Sequence, residues 1–290
     1  MKLSRIELDG AGSPTALVQR ILELEPDLPI PVPIEALCER LDITSISEMQ
    51  TEGFEAALVT DTVRSSGAIL VAKGRTHRRR RFSIGHELAH FLIPSHFIPP
   101  DGLLQCTRDH LRLLDTKEQD RRARMEVEAN RFSALLLMPP SLIRARLRQL
   151  REPQLADILK LADDFDVSKE AMARRVVDCS RHALAVIYLR DGRIDRFHRK
   201  DGHFPWIDIK RGTPVPPDSI WHDTPLGPGA ISASEECEPE TWLSATSARN
   251  VEVLVEQAMG QHDGHGMILL MAELRDEDEE DLEQVDLRWR

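Results

Sequence analysis

The stretch from Arg81 to Ile93 constrains the fold most, because it contains the pattern His86-Glu-Leu-Ala-His90. Residues four positions apart lie on the same face of an α-helix, so both imidazoles can bind one metal ion. Glu87 lies beside them and is placed to take a proton from a water molecule at that ion. Apolar residues recur at helical spacing through the stretch, and Pro94 ends it. The sequence therefore predicts a helix with a buried apolar face and a metal-binding face. The alternative is an ordinary amphipathic helix that carries two histidines.

A second helix is predicted over Met125–Pro139, and it supplies one candidate for the third ligand. Glu126 and Asn130 are one turn apart on one face of this helix. The carboxylate could bind the metal, and the amide could hold a ligating histidine by its other ring nitrogen. Glu128 points in a different direction and lies between arginines at helical spacing, which favours a solvated ion-pair face.

Three further residues compete for the third position. His96 occupies the last position of the longer pattern H-E-x-x-H-x-x-G-x-x-H, but Ile93 stands where that pattern needs glycine to turn the chain. His110 is another candidate, and Cys106 could act as an inhibitory thiolate. No spacing rule supports either of them. The residues alone therefore leave the third ligand open.

Two separate runs resemble the ImmA/IrrE family of bacterial zinc metallopeptidases. They are RRFSIGHELAH, which ends at His90, and EVEANRFSALLLMP, which begins at Glu126. The two runs occur in the order that the family has, and the resemblance covers residues 25–182.

This resemblance implies a fold, a ligand set and a substrate. The fold is a gluzincin-like catalytic core, in which His86, His90 and Glu126 bind the metal and Glu87 is the general base. Family members cut a helix-turn-helix repressor, often encoded nearby, and so relieve repression. The resemblance therefore implies that a repressor of this class is the partner and substrate.

Composition limits the other classes of function. The 290-residue chain is 41% hydrophobic, enough for one large or two small domains. No apolar run is as long as a membrane span, and the N-terminus lacks a secretory core, so we expect a cytoplasmic protein without membrane contact. The four scattered cysteines favour a reducing compartment. The net charge of −11 arises in residues 183–290, and it argues against general nucleic-acid binding.

Short elements are predicted before the metal-binding helix. They are helices over 14–24 and 31–43 and strands over 54–60 and 67–72. In gluzincin-like folds the strand before the active-site helix lies along the cleft, so residues 67–72 could bind an extended substrate as an added strand. The arginine-rich run 75–81 is interpreted as a solvated turn, or alternatively as a contact for an acidic partner or a phosphate.

The segments that follow the metal-binding helix are less regular. Residues 94–117 are predicted to be an irregular lid or substrate rim, and a basic helix follows over 141–149. Residues 155–177 resemble a helix-turn-helix, with Ser168 as N-cap of its second helix. Acidic residues at the turn would repel phosphates, so we interpret this hairpin as a packing element and consider direct DNA binding unlikely to be its role.

Residues 183–290 are predicted to form a β-rich module. Its strands are expected over 183–197 (a hairpin that turns at Asp191-Gly192), 251–256 and 266–272, with loops and short strands over 198–240. In longer family members such a region resembles a sensor or regulatory cover. We expect residues 275–290, which include an unbroken acidic run, to be mobile.

The predicted fold class is therefore α+β: a gluzincin-like catalytic core of a small sheet and metal-binding helices, a helix-turn-helix-like hairpin, and a β-rich C-terminal module. The predicted domains are 1–140, 141–182 and 183–290. The predicted function is a zinc-dependent endopeptidase acting on a repressor, and Mn²⁺ or another divalent ion would also suit the ligands. The alternatives are a non-cleaving regulatory protein on a peptidase scaffold, and a DNA-binding regulator acting through residues 155–177.

Overall fold

The computed structural model describes residues 3–113, 120–223 and 226–275. Within them the chain is a mixed α+β protein with eight α-helices and two sheets. It divides into two compact units, one made of Met1–Ile143 with Leu159–Met172 and the other of Arg144–Ile158 with Ala173–Arg290. The domain boundaries predicted from the sequence stay a prediction. No helix in the described ranges is long and apolar enough to cross a membrane.

The first unit contains four helices and a four-stranded sheet. These elements are α1 (Pro14–Leu24), α2 (Ile34–Arg40), β1 (Ile43–Met49), β2 (Ala56–Thr60), β3 (Gly67–Ala72), α3 (His77–Leu92), β4 (Leu103–Cys106) and α4 (Arg121–Leu137). Three helices follow, with residues divided between the two units: α5 (Pro140–Leu147), α6 (Leu155–Asp164) and α7 (Lys169–Cys179). The predicted helices and the two predicted strands are all present, whereas β1 and β4 are additional.

The order of strands in the first sheet is β1-β3-β2-β4. β3 pairs with β1 in parallel and with β2 antiparallel, so both of its edges are used. The prediction that residues 67–72 bind a substrate as an added strand is therefore wrong. Among the described strands of this sheet, only β1 and β4 have an outer edge.

β4 also corrects the prediction for residues 94–117. Leu103–Cys106 pairs antiparallel with β2, and His110–Arg112 forms a short 3-10 helix. Gly102, directly before the strand, has a φ of 73°, and a side chain there would lie against the carbonyl oxygen of Thr60, which explains the glycine. The segment is thus partly regular and belongs to the sheet, and residues 114–117 lie outside the described part of the chain.

The arginine-rich run is the start of α3 and not a solvated turn. Thr76 caps the helix, its side chain accepting a hydrogen bond from the backbone of Arg79. The Nε atoms of Arg75 and Arg79 each lie 2.9 Å from the carboxylate of Glu55, which is 4% exposed. Because a buried carboxylate is costly unless it is paired, these arginines stabilise the fold. The interpretation of residues 75–81 as a solvated turn is therefore wrong.

The remaining arginines of the run pair with other elements of the first unit. Arg81 Nε lies 3.2 Å and Arg78 Nε 3.4 Å from the carboxylate of Asp166, and Arg80 pairs with Glu35. Asp166 stands in the turn between α6 and α7, with a φ of 51°. The acidic turn is therefore packed on the first turns of α3.

Helices α3 and α4 approach closely at Gly85. A Cβ added there would lie 2.6 Å from Ser133 Oγ and 3.2 Å from Ser133 Cβ. Ser133 Oγ in turn donates a hydrogen bond to the carbonyl oxygen of Phe82 at 2.9 Å. Both residues are small because the two backbones pass within the space that a larger pair would fill.

The second unit contains a five-stranded antiparallel sheet of order β6-β5-β9-β8-β7. Its elements are β5 (Ala183–Arg190), β6 (Arg193–Arg199), β7 (Glu235–Cys237), α8 (Ala245–Ala248), β8 (Val251–Gly260) and β9 (His265–Leu274). The predicted hairpin is confirmed, and it turns at Asp191 and Gly192, which both have positive φ. The acidic run predicted to be mobile begins at residue 276 and lies outside the described residues.

We predict that Gly85→Ala destabilises the first unit by about 1–3 kcal/mol, because the new methyl group overpacks the α3–α4 contact. Thermal unfolding and hydrogen exchange of the α3 and α4 amides would measure the change. Gly53→Ala is the matched control, since its Cβ would meet only Thr51 Oγ1, at 3.6 Å. Ser133→Gly should partly rescue Gly85→Ala, and strictly additive effects would contradict a direct contact.

Candidate metal centre

Four buried side chains from three elements of the first unit lie close together. His86 and His90 come from α3, Glu126 from α4 and Cys106 from β4. Their ligand atoms all lie within 4.8 Å of one another, and all four residues are buried. The group could hold a metal ion.

Asn130 fixes the orientation of His86. The Asn130 amide nitrogen donates to the carbonyl oxygens of His110 and Leu113, both at 2.8 Å, so its Oδ1 is free to accept. That oxygen lies 2.8 Å from His86 Nδ1, which must carry the proton. The Nε2 atom of neutral His86 therefore presents a lone pair to the centre.

His96 and Glu128 fix His90 in the same way. Glu128 Oε2 accepts from His96 Nε2 at 2.9 Å, which leaves His96 Nδ1 as an acceptor for His90 Nδ1 at 2.9 Å. Burial lowers the pKa of His90 to about 3 and that of His96 to about 4, so both rings are neutral at pH 7. The Nε2 atom of His90 then also presents a lone pair to the centre.

These lone pairs meet without protons between them. His86 Nε2 lies 3.1 Å from both His90 Nε2 and Glu126 Oε2, and His90 Nε2 lies 3.5 Å from Glu126 Oε2. In a tetrahedral zinc site two nitrogen ligands lie about 3.3 Å apart, by ordinary metal–ligand lengths. The donor set therefore fits a divalent cation, which would relieve the repulsion between its lone pairs.

Glu126 keeps its negative charge in this surrounding. Burial disfavours the charged form, but the neighbouring imidazoles of His86 and His90 outweigh burial and hold the pKa of the carboxyl well below its usual range. The second oxygen, Oε1, has no hydrogen-bond partner in the described part of the chain, and His110 Nδ1 lies 3.6 Å from it. A charged carboxylate with an unused oxygen is suited to bind a cation.

Glu87 is a buried carboxyl beside this group. It is 0% exposed, and neither of its carboxylate oxygens has a hydrogen-bond partner among the described residues. Burial raises the pKa of this carboxyl well above its usual value. A buried carboxyl without partners costs about 1–3 kcal/mol or more, so its retention beside the donor group indicates a chemical role.

The thiol of Cys106 completes the group. Its Sγ lies 3.6 Å from His90 Nε2. Burial raises the pKa of the thiol well above its usual value, and the nearby charges of Glu87 and Glu126 raise it further. Cys106, like His110, was a candidate that no spacing in the sequence supported, because its approach to the centre depends on the pairing of β4 with β2.

The other candidates from the sequence lie near the centre but outside the group. His96 lies behind His90 and contacts the ring nitrogen that faces away from the cluster. His110 is partly exposed and accepts a hydrogen bond from the Thr107 backbone. The partner of Glu128 is His96, not the neighbouring arginines that its helical spacing favours. No pattern in the sequence predicted that His90, His96 and Glu128 form a chain of hydrogen bonds.

Comparison with known proteins agrees with this site. The peptidase M78 family model, described as an IrrE N-terminal-like domain, matches residues 38–177. This stretch contains every residue of the centre, and the match confirms the resemblance to ImmA/IrrE proteins. No curated protein matches the chain.

One solved structure similar to this chain is a Mycobacterium tuberculosis transcriptional regulator. The two share 15% sequence identity with a TM-score of 0.53, over 88% of this chain and 86% of that one. At this identity the similarity concerns the fold alone.

We predict that Asn130→Ala weakens zinc binding about 10- to 100-fold, because His86 loses the acceptor that fixes its tautomer and ring orientation. Competition with a chromophoric chelator would measure the affinity. Asn130→Asp keeps an acceptor opposite His86 Nδ1 and should bind zinc more tightly than the alanine variant. Equal affinities for wild type and Asn130→Ala would show that the amide does not orient the ligand.

Proposed function

We propose that this chain is a zinc-dependent endopeptidase that hydrolyses a peptide bond in a partner protein. The observation that carries the proposal is the buried, unpaired carboxylate of Glu87 beside three converging donors. The M78 family match over this stretch supports the same class of reaction. The catalytic part would be a gluzincin-like core, working in the cytoplasm.

The proposal gives each residue of the centre one role. His86, His90 and Glu126 would hold Zn²⁺, although Mn²⁺ or another divalent ion also suits these donors. The ion, when bound, would supply Lewis-acid polarisation of a peptide carbonyl and of a water molecule. Asn130 would hold His86 in its ligating orientation through the 2.8 Å contact.

Glu87 would move the proton. Its carboxyl is surrounded by protein, and neither oxygen has a hydrogen-bond partner among the described residues, so both could accept from a water molecule beside it. Burial raises the pKa of the carboxyl, which stabilises its protonated form between taking a proton from water and donating it to the leaving amine. No group in the described residues is assigned to stabilise the oxyanion.

We further propose that the substrate is a helix-turn-helix transcriptional repressor, whose cleavage relieves repression. This rests on the family whose model matches residues 38–177. The α6–α7 hairpin would be a packing element, which is supported by the ion pairs between Asp166 and the arginines of α3. Those pairs occupy the turn that a DNA-binding hairpin would present beside phosphates.

A second candidate is a regulator that binds its partner without cutting it. It is favoured by the similarity in fold to a protein named as a transcriptional regulator, and by a fourth buried donor in the centre. The two candidates differ in one observable, which is whether the partner protein is cut.

We predict that Glu87→Gln retains about one equivalent of metal and loses about 10²- to 10⁴-fold in cleavage rate, because the amide cannot accept the proton. Metal content by mass spectrometry would be measured beside cleavage of a co-expressed helix-turn-helix repressor encoded near this chain. Glu126→Ala should lose the metal as well as the activity. Turnover retained by Glu87→Gln would remove its role as base, and an intact repressor bound to wild type would favour the second candidate.

A further inference from the structure

Backbone pairing in the first sheet places Cys106 beside the metal centre. Cys106 is the last residue of β4 and is paired with Ala56 of β2. Its carbonyl oxygen accepts a hydrogen bond from the Glu55 amide at 2.8 Å, and its side chain is 0% exposed. The position of the thiol is therefore set by strand register and not by a flexible loop.

The direction of the thiol distinguishes it from an ordinary buried cysteine. Cys106 Sγ lies 3.6 Å from His90 Nε2, the same nitrogen that faces His86 and Glu126. A nitrogen and a sulfur that bind one tetrahedral zinc ion lie about 3.6 Å apart. Cys38 is equally buried but belongs to no such group within the described residues.

A fourth protein ligand changes what the centre can do. Catalytic zinc sites have three protein ligands and leave one position for water or substrate, whereas sites with four protein ligands are closed. With the Cys106 thiolate bound, Glu87 would have no water molecule at the metal to act on. A centre with all four side chains bound to the metal would therefore be inactive in hydrolysis.

We propose that Cys106 is the fourth protein ligand of this centre and holds it closed, so that hydrolysis requires the thiolate to leave the metal. The ligand assignment is independent of the proposed function, whereas the latency rests on it. The first three ligands come from α3 and α4, which pack against each other at Gly85. Cys106 is the last residue of a four-residue strand at the edge of the sheet, so its withdrawal would leave intact the α3–α4 contact that holds the other three ligands.

The ligand assignment is tested with cobalt, which replaces zinc and reports its ligands by colour. The Co²⁺-loaded wild type should show the near-ultraviolet thiolate-to-cobalt charge-transfer band. Cys106→Ser and Cys106→Ala should lose it, while Cys38→Ala and Cys237→Ser, which remove thiols outside the centre, should keep it. A loaded wild type without the band overturns the assignment.

Zinc affinity provides a second readout that does not depend on activity. Loss of the thiolate should weaken zinc binding at least about 10-fold, since even contacts behind a ligand carry 10- to 100-fold effects. If the Cys106 variants do not fold, X-ray absorption at the zinc edge of the wild type decides the question. One sulfur at about 2.3 Å supports the assignment, and coordination by nitrogen and oxygen alone overturns it.

Latency is tested by counting new protein N-termini that each zinc-loaded variant produces in a native cell lysate. Cys106→Ala should produce about tenfold more than the wild type, as expected if nine of ten wild-type molecules are closed. Glu87→Gln in the Cys106→Ala background gives the blank. Equal cleavage by wild type and Cys106→Ala overturns the latency. A thiolate band with no cleavage by Cys106→Ala supports the ligand assignment but overturns both the latency and the proposed peptidase function.

Discussion

The close packing of α3 against α4 at Gly85 and Ser133 is the constraint on which the centre depends. His86 follows Gly85 directly, and Glu126 lies two turns before Ser133 on the facing helix. The near contact of the two backbones brings the imidazole of His86 within 3.1 Å of the Glu126 carboxylate. Because protein interiors transmit small changes in volume, a larger residue at this contact would move all donors of α4 relative to those of α3. Helix packing therefore sets the ligand distances, and the side chains themselves have little freedom to correct them.

The hydrogen bonds behind the ligands complete what packing begins. Asn130 holds His86 and is itself held by two backbone carbonyls, while His90 is held by His96 and Glu128. Each arrangement leaves Nε2 without a proton and directs its lone pair to the same point. These buried groups could hold a cation, which would relieve the repulsion between their lone pairs. Both histidines are thus oriented by the protein itself, without an ion.

Periodicity predicted the elements that carry their own signal. α3 and α4 have apolar residues at helical spacing and a proline at the end. Their motifs singled out His86, Glu87, His90 and Glu126, and all but Glu87 lie in the buried donor group. β1 could not be predicted, because apart from Ile43 its residues are partly or largely exposed. The partners of the arginine run lie 20 or more positions away in sequence, at Glu55 and Asp166, so local composition suggested a solvated turn. Cys106 was named as a candidate, but no spacing in the sequence supported it, because only the register of β4 against β2 places it in the group.

Glu55 connects these features, and it explains why the sheet matters to the centre. Its carboxylate receives Arg75 and Arg79 at the start of α3, and its backbone amide holds the carbonyl of Cys106. Its carbonyl oxygen accepts from Ala72 in β3. Glu55, directly before β2, therefore contacts both the start of α3, which supplies two histidines, and β4, which supplies the thiol. Substitution of both Arg75 and Arg79 would leave the buried carboxylate of Glu55 without a partner and shift α3 and β4 together. The distance between Cys106 and His90 therefore depends on a contact outside the centre.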